Sequence, residues 1–158
     1  MSLAIVGAYF VALLLYATWF GIAMFTFIAP CYDKLSGPTF IEWFQKIDPY
    51  MKIRARQLIL SQLLVTLLLL SLLHDRSASL EFWLTGIALV MTAVSMGIAV
   101  RGNVPLNRQM DHWSPSNPPD QWEEIRERWL HYQRLRGIAE VAGFVTLLVA
   151  ALLYSSGG

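Results

Sequence analysis

Residues 129–140 have the sequence WLHYQRLRGIAE, and the uncharged run VAGFVTLLVAALL follows at residues 141–153. On an α-helix, spacings of four, three and four residues place one set on a common face: Trp129, Gln133, Arg136 and Glu140. This face begins among polar residues and ends with a carboxylate inside a predicted membrane span. Because an ionisable group at that depth is costly, it indicates a functional site, and Arg136 is the predicted partner of Glu140.

The composition indicates a membrane protein. The chain has 158 residues, of which 56% are hydrophobic and 15% are charged, whereas soluble domains carry about 25% charged residues. The net charge of +1 gives no argument for nucleic acid or an acidic partner. The single cysteine, Cys31, excludes an internal disulfide and any metal or iron–sulfur site built on several thiolates.

The apolar runs predict an all-α fold, a four-transmembrane-helix bundle in up-down order. We expect one integral membrane domain, residues 1–158, with spans at about 3–30, 54–73, 80–100 and 137–154. The first run is uncharged, is too long for a signal-peptide core and ends at Pro30. The fourth span is the end of one long helix that starts near Asp120, with Glu123 three residues later.

The connection after the first span contains a predicted short interfacial helix. Thr39 and Glu42 have the spacing of a capping box, and apolar residues from Phe40 to Ile47 fall on one side. We expect this helix to lie on the membrane surface and to stop at Asp48-Pro49.

The basic residues predict the orientation. They flank three connections and are absent from both terminal segments: Lys34, Lys46, Lys52, Arg54, Arg56, Arg76, Arg101, Arg108, Arg126, Arg128, Arg134 and Arg136. Only Arg76 belongs to the second connection. The positive-inside rule then places the two long connections in the cytoplasm and both termini outside, and we expect the bacterial inner membrane.

Polar residues at the cytoplasmic ends of the spans predict a binding site inside the bundle. They are Arg54, Gln57, Ser61, Asn103, Asn107, Trp129, Gln133, Arg136 and Glu140. Donors, one carboxylate and aromatic walls around an apolar cavity suit a flat, lipid-soluble molecule with a few oxygens. The alternative is that these groups only form hydrogen bonds between helix ends.

A metal site has less support in the sequence. The three histidines, His74, His112 and His131, lie outside the predicted spans and lack the spacing of a ligand motif. A metal held by His112 and His131 stays open, because the two could meet in space. The sequence contains no glycine-rich phosphate loop and no legible Ser-His-Asp set.

Several short motifs resemble a family of small four-span membrane proteins that includes the fungal anthrone oxygenases and many bacterial members. The motifs are Val104-Pro105-Leu106-Asn107, then Trp113, then Arg128-Trp129 leading to Gln133, Leu135 and Arg136, with Gly21 and Phe25 before Pro30, and Phe44-Gln45-Lys46-Ile47-Asp48. The chain departs from the family pattern at Gln133, where we expect Asn, and at Tyr132, where Trp is frequent.

The resemblance implies oxygenation of an activated aromatic carbon by dioxygen, without a recognised cofactor. In that reaction a base takes one proton and the protein stabilises one oxyanion. Mapped here, Glu140 or His131 is the base, Arg136 and Asn107 face the oxyanion, and Trp113 and Trp129 line the rings. The remaining predicted substrate contacts are Gln133, Asn103, Gln57 and Arg54.

Two other functions remain open. One is a non-catalytic membrane subunit or scaffold that docks a partner protein, and the other is a binder of a lipid or quinone. An enzyme or binder should keep an apolar pocket lined by Asn107, Trp129 and Arg136. In a scaffold, these residues should form hydrogen bonds with each other, and the aromatic face of Phe40–Ile47 or Trp122 should be exposed. The partners expected are a small hydrophobic molecule and the bilayer, and a homo-oligomer or partner subunit is left open.

Overall fold

The computed structural model describes residues 2–28 and 31–157, and their secondary structure is helical. The elements are α1 (Leu3–Ile28), a 3-10 turn (Cys31–Lys34), α2 (Gly37–Leu72), a 3-10 turn (His74–Arg76), α3 (Leu80–Ile98), a π-helical turn (Ala99–Asn103), α4 (Val104–Met110) and α5 (Trp122–Ser156). The predicted all-α class is confirmed. Four helical stretches are long and apolar enough to cross a membrane, as expected of an integral membrane protein. The predicted end of the first span, at Pro30, lies outside the described residues.

The four long helices pack in up-down order. α1 contacts α2 and α5, and α3 contacts the same two helices. At one end of the bundle the backbone N–H of Ser2 donates to the hydroxyl of Tyr154 at 3.0 Å, so the start of α1 meets the end of α5. We call this the terminus end, and the opposite end, which carries α4, the α4 end.

An apolar core fills the terminus half of the bundle. Its buried members are Ile5, Tyr9, Ala12, Tyr16, Leu69, Leu73, Ala88, Leu147, Ala150 and Tyr154. The Tyr16 hydroxyl lies 3.3 Å from Thr66 Oγ1 and 2.7 Å from Thr92 Oγ1. Buried hydroxyls on α1, α2 and α3 thereby satisfy each other, which is how polar groups are tolerated inside a membrane bundle.

A second, aromatic cluster lies at the α4 end. Its buried members are Phe40, Ile41, Phe44, Leu106, Met110, Ile125, Trp129 and Leu130. The Trp129 ring meets Phe44 edge-on, with centroids 6.0 Å apart, an arrangement favoured for aromatic pairs. This cluster joins the extended ends of α2 and α5 to α4, and it fixes the position of the residues described below.

The predicted stop at Asp48-Pro49 is wrong, because α2 runs through Pro49 without a break. A proline inside a helix costs about 3 kcal/mol. Burial of Phe40, Ile41 and Phe44 outweighs that cost, at about 1.5–3 kcal/mol per side chain. The predicted interfacial helix is therefore the first part of α2, and its aromatic face packs inside the protein.

The sequence did not predict the π-helical turn between α3 and α4. The turn Ala99–Asn103 widens the helix, and Gly102 within it packs against the Tyr132 ring of α5. π-helical turns often occur at functional sites because they redirect side chains. Here Asn103 is the last residue of the turn, Asn107 lies one turn later on α4, and both bind Trp129 of α5.

Candidate functional site

A large cavity lies inside the α4 half of the bundle, with a volume of about 1110 Å³. Its lining residues include Trp19, Tyr32, Trp43, Phe44, Asp48, Met51, Lys52, Arg56, Asn103, Asn107, Arg108, Trp129, Gln133 and Arg136. Ligand pockets commonly enclose about 300–1,000 Å³. The cavity is therefore large enough for a molecule of several fused rings.

Asn107 joins the polar groups at the cavity wall. Its Nδ2 donates to Asp48 Oδ1 at 2.6 Å, and its Oδ1 accepts from Trp129 Nε1 at 2.8 Å. Lys52 Nζ lies 2.6 Å from Asp48 Oδ2 and 2.6 Å from Asp111 Oδ2. Polar contacts therefore connect Trp129 of α5 to Asn107 of α4, and Asn107 to the Asp48 carboxylate of α2. The Asp48 carboxylate in turn contacts the Lys52 ammonium.

Arg136 of α5 also lines the cavity. Its guanidinium carbon lies 5.3 Å from the Trp19 ring centroid, a cation–π arrangement. Its NH1 donates to Gln133 Oε1 at 3.2 Å. Because a guanidinium has five N–H donors, Arg136 keeps further donors for a molecule in the cavity.

The charges in the lining favour an anion. The charged lining side chains are Asp48, Lys52, Arg56, Arg108 and Arg136, so cations outnumber the carboxylate. Burial raises the pKa of the Tyr32 phenol, which lies outside the membrane-spanning segments.

One side of the cavity opens between apolar side chains. Ile22 of α1, Leu60 of α2 and Val100 of the π-helical turn all line it, and they are 41%, 47% and 59% exposed. On helices that fit a membrane, such an opening faces lipid tails rather than water. The cavity lining therefore includes apolar side chains on the outer surface of the bundle.

Five of the ten residues with a predicted catalytic or substrate-binding role line the cavity, and Ser61, also expected at the site, does not. The five are Asn103, Asn107, Trp129, Gln133 and Arg136. Asn103 also donates from Nδ2 to the Trp129 carbonyl at 3.2 Å. This contact and those of Asn107 are the hydrogen bonds between helix ends that the alternative interpretation expected, yet the cavity is present beside them.

The other predicted residues lie elsewhere, namely Arg54, Gln57, Trp113, His131 and Glu140. Arg54 and Gln57 are exposed, because the neighbouring face of α2, with Asp48, Lys52 and Arg56, lines the cavity instead. Trp113 packs against the aromatic cluster. His131 belongs to a separate surface depression.

The predicted ion pair between Arg136 and Glu140 is not formed. Among the described residues, no nitrogen of Arg136 lies within 4.0 Å of a Glu140 oxygen. Arg136 is turned toward Trp19 and the cavity. Glu140 instead faces Gln62 of α2 and Ser95 of α3.

Around His112 and His131, both of which the structure describes, no cluster of metal-ligating side chains is found. Within residues 2–28 and 31–157, no group of three or more His, Cys, Asp or Glu side chains is placed to hold a metal ion. His131 shares its surface depression with Glu124, Glu127, Arg128 and Tyr132.

Asp48, Lys52, Trp19 and Trp43 were missed by the sequence analysis. Asp48 and Lys52 form an i,i+4 pair, a spacing typical of ion pairs on one helix face. The position of Asp48 before a proline hides that signal, because the residue before a proline usually ends a helix. The two tryptophans carried no signal that separated them from packing residues.

Comparison with known proteins supports the resemblance found in the motifs. A family model described as anthrone oxygenase matches residues 50–146, which is more than half of the chain. No curated protein and no solved structure matches the chain. The matched region includes most of the cavity lining, with Asn107, Trp129 and Arg136. The chain therefore belongs to the anthrone oxygenase family.

Proposed function

We propose that this protein uses dioxygen to oxygenate a flat, lipid-soluble aromatic ketone that carries an acidic methylene. The observation that carries the proposal is the cavity, which combines aromatic walls with one carboxylate beside hydrogen-bond donors. Family membership supports the same chemistry. An anthrone is the simplest substrate with these properties.

In the proposed reaction a base removes one methylene proton and leaves an electron-rich enolate. The enolate carbon forms a bond to dioxygen, and the resulting peroxide takes up a proton. Loss of water then gives the quinone, so that R₂CH₂ and O₂ become R₂C=O and H₂O. The carbon is oxidised and dioxygen is reduced, and we propose no cofactor for these steps.

Asp48 is the proposed base. It is the only carboxylate that lines the cavity within the described part of the chain, whereas Glu140 and His131 lie outside the lining. Lys52 and Asn107 both contact the Asp48 carboxyl group and hold it in one orientation. General bases placed in this way contribute about 10²–10⁴-fold to a rate.

Arg136 and Asn107 are the proposed partners of the enolate oxygen. Asn107 uses one amide hydrogen on Asp48, so its second hydrogen is available to a bound molecule. Donors held in place before the reaction stabilise developing negative charge without reorganising. Trp19, Trp43 and Trp129 would contact the faces of the rings.

We also propose that both termini lie outside the cell, that the two long connections are cytoplasmic, and that the host membrane is a bacterial inner membrane. The distribution of lysine and arginine supports this orientation. It places the polar end of the cavity, with Lys52 and Arg108, near the cytoplasmic headgroups.

The test is oxygen uptake and quinone absorbance with purified protein in lipid nanodiscs and an anthrone as substrate. The rate in nanodiscs without protein is subtracted. We expect Asp48→Asn to lower kcat/KM at least about 100-fold. Asp111→Asn is the matched control, because Asp111 contacts the same ammonium but does not line the cavity, and its rate should stay within a few-fold of the unchanged protein.

Equal rates for Asp48→Asn and the unchanged protein would show that Asp48 is not the base. Another outcome is that the aromatic molecule quenches the tryptophan fluorescence of the unchanged protein while the oxidation of that molecule is not accelerated. This result would replace the enzyme function with that of a lipid or quinone binder. A protein that does neither fits the scaffold.

A further inference from the structure

A second polar site lies behind the cavity, where α2, α3 and α5 meet. Glu140 is 1% exposed, and Gln62 and Ser95 are 0% exposed. Four buried oxygens lack a hydrogen-bond partner among the described residues: Glu140 Oε1, Glu140 Oε2, Gln62 Oε1 and Ser95 Oγ. The proposed oxygenase reaction uses none of them.

The numbers of hydrogen-bond donors and acceptors on Glu140, Gln62 and Ser95 indicate which further donors the site needs. An ionised carboxylate and an amide oxygen can only accept, and the serine hydroxyl supplies a single hydrogen. The Gln62 amide nitrogen carries two hydrogens, of which one is directed at the Leu15 carbonyl at 3.4 Å. With Glu140 ionised, acceptors therefore outnumber donors in a place without bulk water. Such an imbalance is costly. A proton on Glu140 converts one acceptor into a donor, and a water molecule supplies two more.

We propose that Glu140, Gln62 and Ser95 form a buried site for a proton and water, in which Glu140 is a neutral carboxylic acid. The neutral acid donates toward Gln62 Oε1, and water bridges the remaining oxygens. The site is distinct from the cavity wall and does not depend on the oxygenase reaction.

The charged and titratable neighbours are few. Arg136 of α5 and Tyr16 of α1 interact electrostatically with Glu140, while α2 and α3 present the uncharged Gln62 and Ser95. Arg136 is the one charged group among these neighbours, and its positive charge disfavours a metal cation in the same place. A neutral acid with water meets no such repulsion.

Proton exchange at this site takes place through the cavity. Toward the terminus end, Ala12, Leu69 and Leu147 are 0% exposed and form a dry layer of the apolar core. On the other side, Arg136 and Gly137 line the cavity, about one turn before Glu140. Protons therefore reach Glu140 from the α4 end and not from the terminus end.

Infrared difference spectroscopy on the purified protein in nanodiscs tests the proposal. At neutral pH we expect the C=O stretch of a neutral carboxylic acid, and we expect it to disappear in Glu140→Gln. Glu81→Gln is the matched control, because Glu81 is also a buried acid but pairs with Arg76 at 3.2 Å, and it should leave the band in place. In D₂O the band should shift promptly, since the site exchanges with the cavity.

A Ser95→Ala variant keeps the test decisive if Glu140→Gln does not fold. Loss of the Ser95 hydroxyl should move the frequency of the band without removing it. The proposal is overturned if the band is absent, if it survives in Glu140→Gln, or if it stays unshifted in both D₂O and Ser95→Ala. None of these readouts depends on catalysis, so failure of the oxygenase function would leave them unchanged.

Discussion

Asn107 is the residue on which the geometry of the cavity wall depends. Its amide donates to Asp48 on α2 and accepts from Trp129 on α5, while the residue itself lies on α4. One side chain thereby connects three helices, beside the contacts that Gln45 of α2 makes with the Met110 and Asp111 carbonyls. An amide suits this position because it carries a donor and an acceptor on the same group.

A charge swap tests this arrangement. Asn107→Asp removes the donor and places a second carboxylate beside Asp48, so we expect a loss of about 1–3 kcal/mol in the free energy of unfolding. The double variant D48N/N107D restores one amide and one carboxylate, and it should recover part of that loss. Thermal unfolding in nanodiscs measures both variants.

The control for the swap is Asp111→Asn, alone and combined with N107D. The Asp111 carboxylate contacts Lys52 but not the Asn107 side chain, and the backbone hydrogen bond from Asp111 to the Asn107 carbonyl is kept in both variants. The effect of Asp111→Asn should therefore add to that of N107D without recovery. If D48N/N107D loses as much free energy of unfolding as D48N and N107D lose in sum, Asn107 and Asp48 are not coupled as described.

At the scale of the elements, the sequence predicted helices better than it predicted which faces of them meet. The change from polar to apolar residues along α5 was sufficient to predict one long helix, and α5 runs from Trp122 to Ser156. The face carrying Trp129, Gln133 and Arg136 was also predicted, because spacing alone defines it.

The differences from the expectations came from features that only packing decides. Pro49 is a helix breaker by local rules, but burial of neighbouring aromatics keeps α2 continuous. Arg54 and Gln57 share a polar face, yet tertiary contacts turn the neighbouring face toward the cavity. The π-helical turn has no periodic signal in the sequence, and the close approach of Gly102 to the Tyr132 ring becomes visible only in the packed structure.

That close approach makes a prediction about α3 and α5. A Cβ added at Gly102 would lie 2.5 Å from the Tyr132 ring, so Gly102→Ala should lower the free energy of unfolding by about 1–3 kcal/mol. Gly97→Ala is the matched control, because a Cβ there meets no atom within 4 Å and alanine favours the helix.

Thermal unfolding should therefore give opposite signs for two identical substitutions five residues apart in the sequence. A neutral Gly102→Ala would mean that the Tyr132 ring yields without cost and that the π-helical turn does not depend on glycine.

At the scale of the whole molecule, contacts fix which segments share an end of the bundle. Ser2 meets Tyr154 at the terminus end, and Lys52 meets Asp111 at the α4 end. The segment around Cys31 leads into the start of α2, which packs against the residues around Asp111. Cys31 and the connection after α4 therefore share the α4 end, and the end of α5 lies at the opposite end. In the proposed membrane arrangement these two ends lie on opposite sides of the bilayer.

Single-cysteine labelling tests both the bundle and its orientation. In a Cys31→Ser background, Ser155→Cys and Ser116→Cys place one exposed thiol at each end. With a membrane-impermeant maleimide, we expect Ser155→Cys to react in intact cells and Ser116→Cys to react only after permeabilisation, because the basic connections favour the cytoplasm. The native Cys31 should behave like Ser116→Cys. The reverse pattern would overturn the orientation alone, whereas reaction of both positions from one side would contradict the up-down bundle itself.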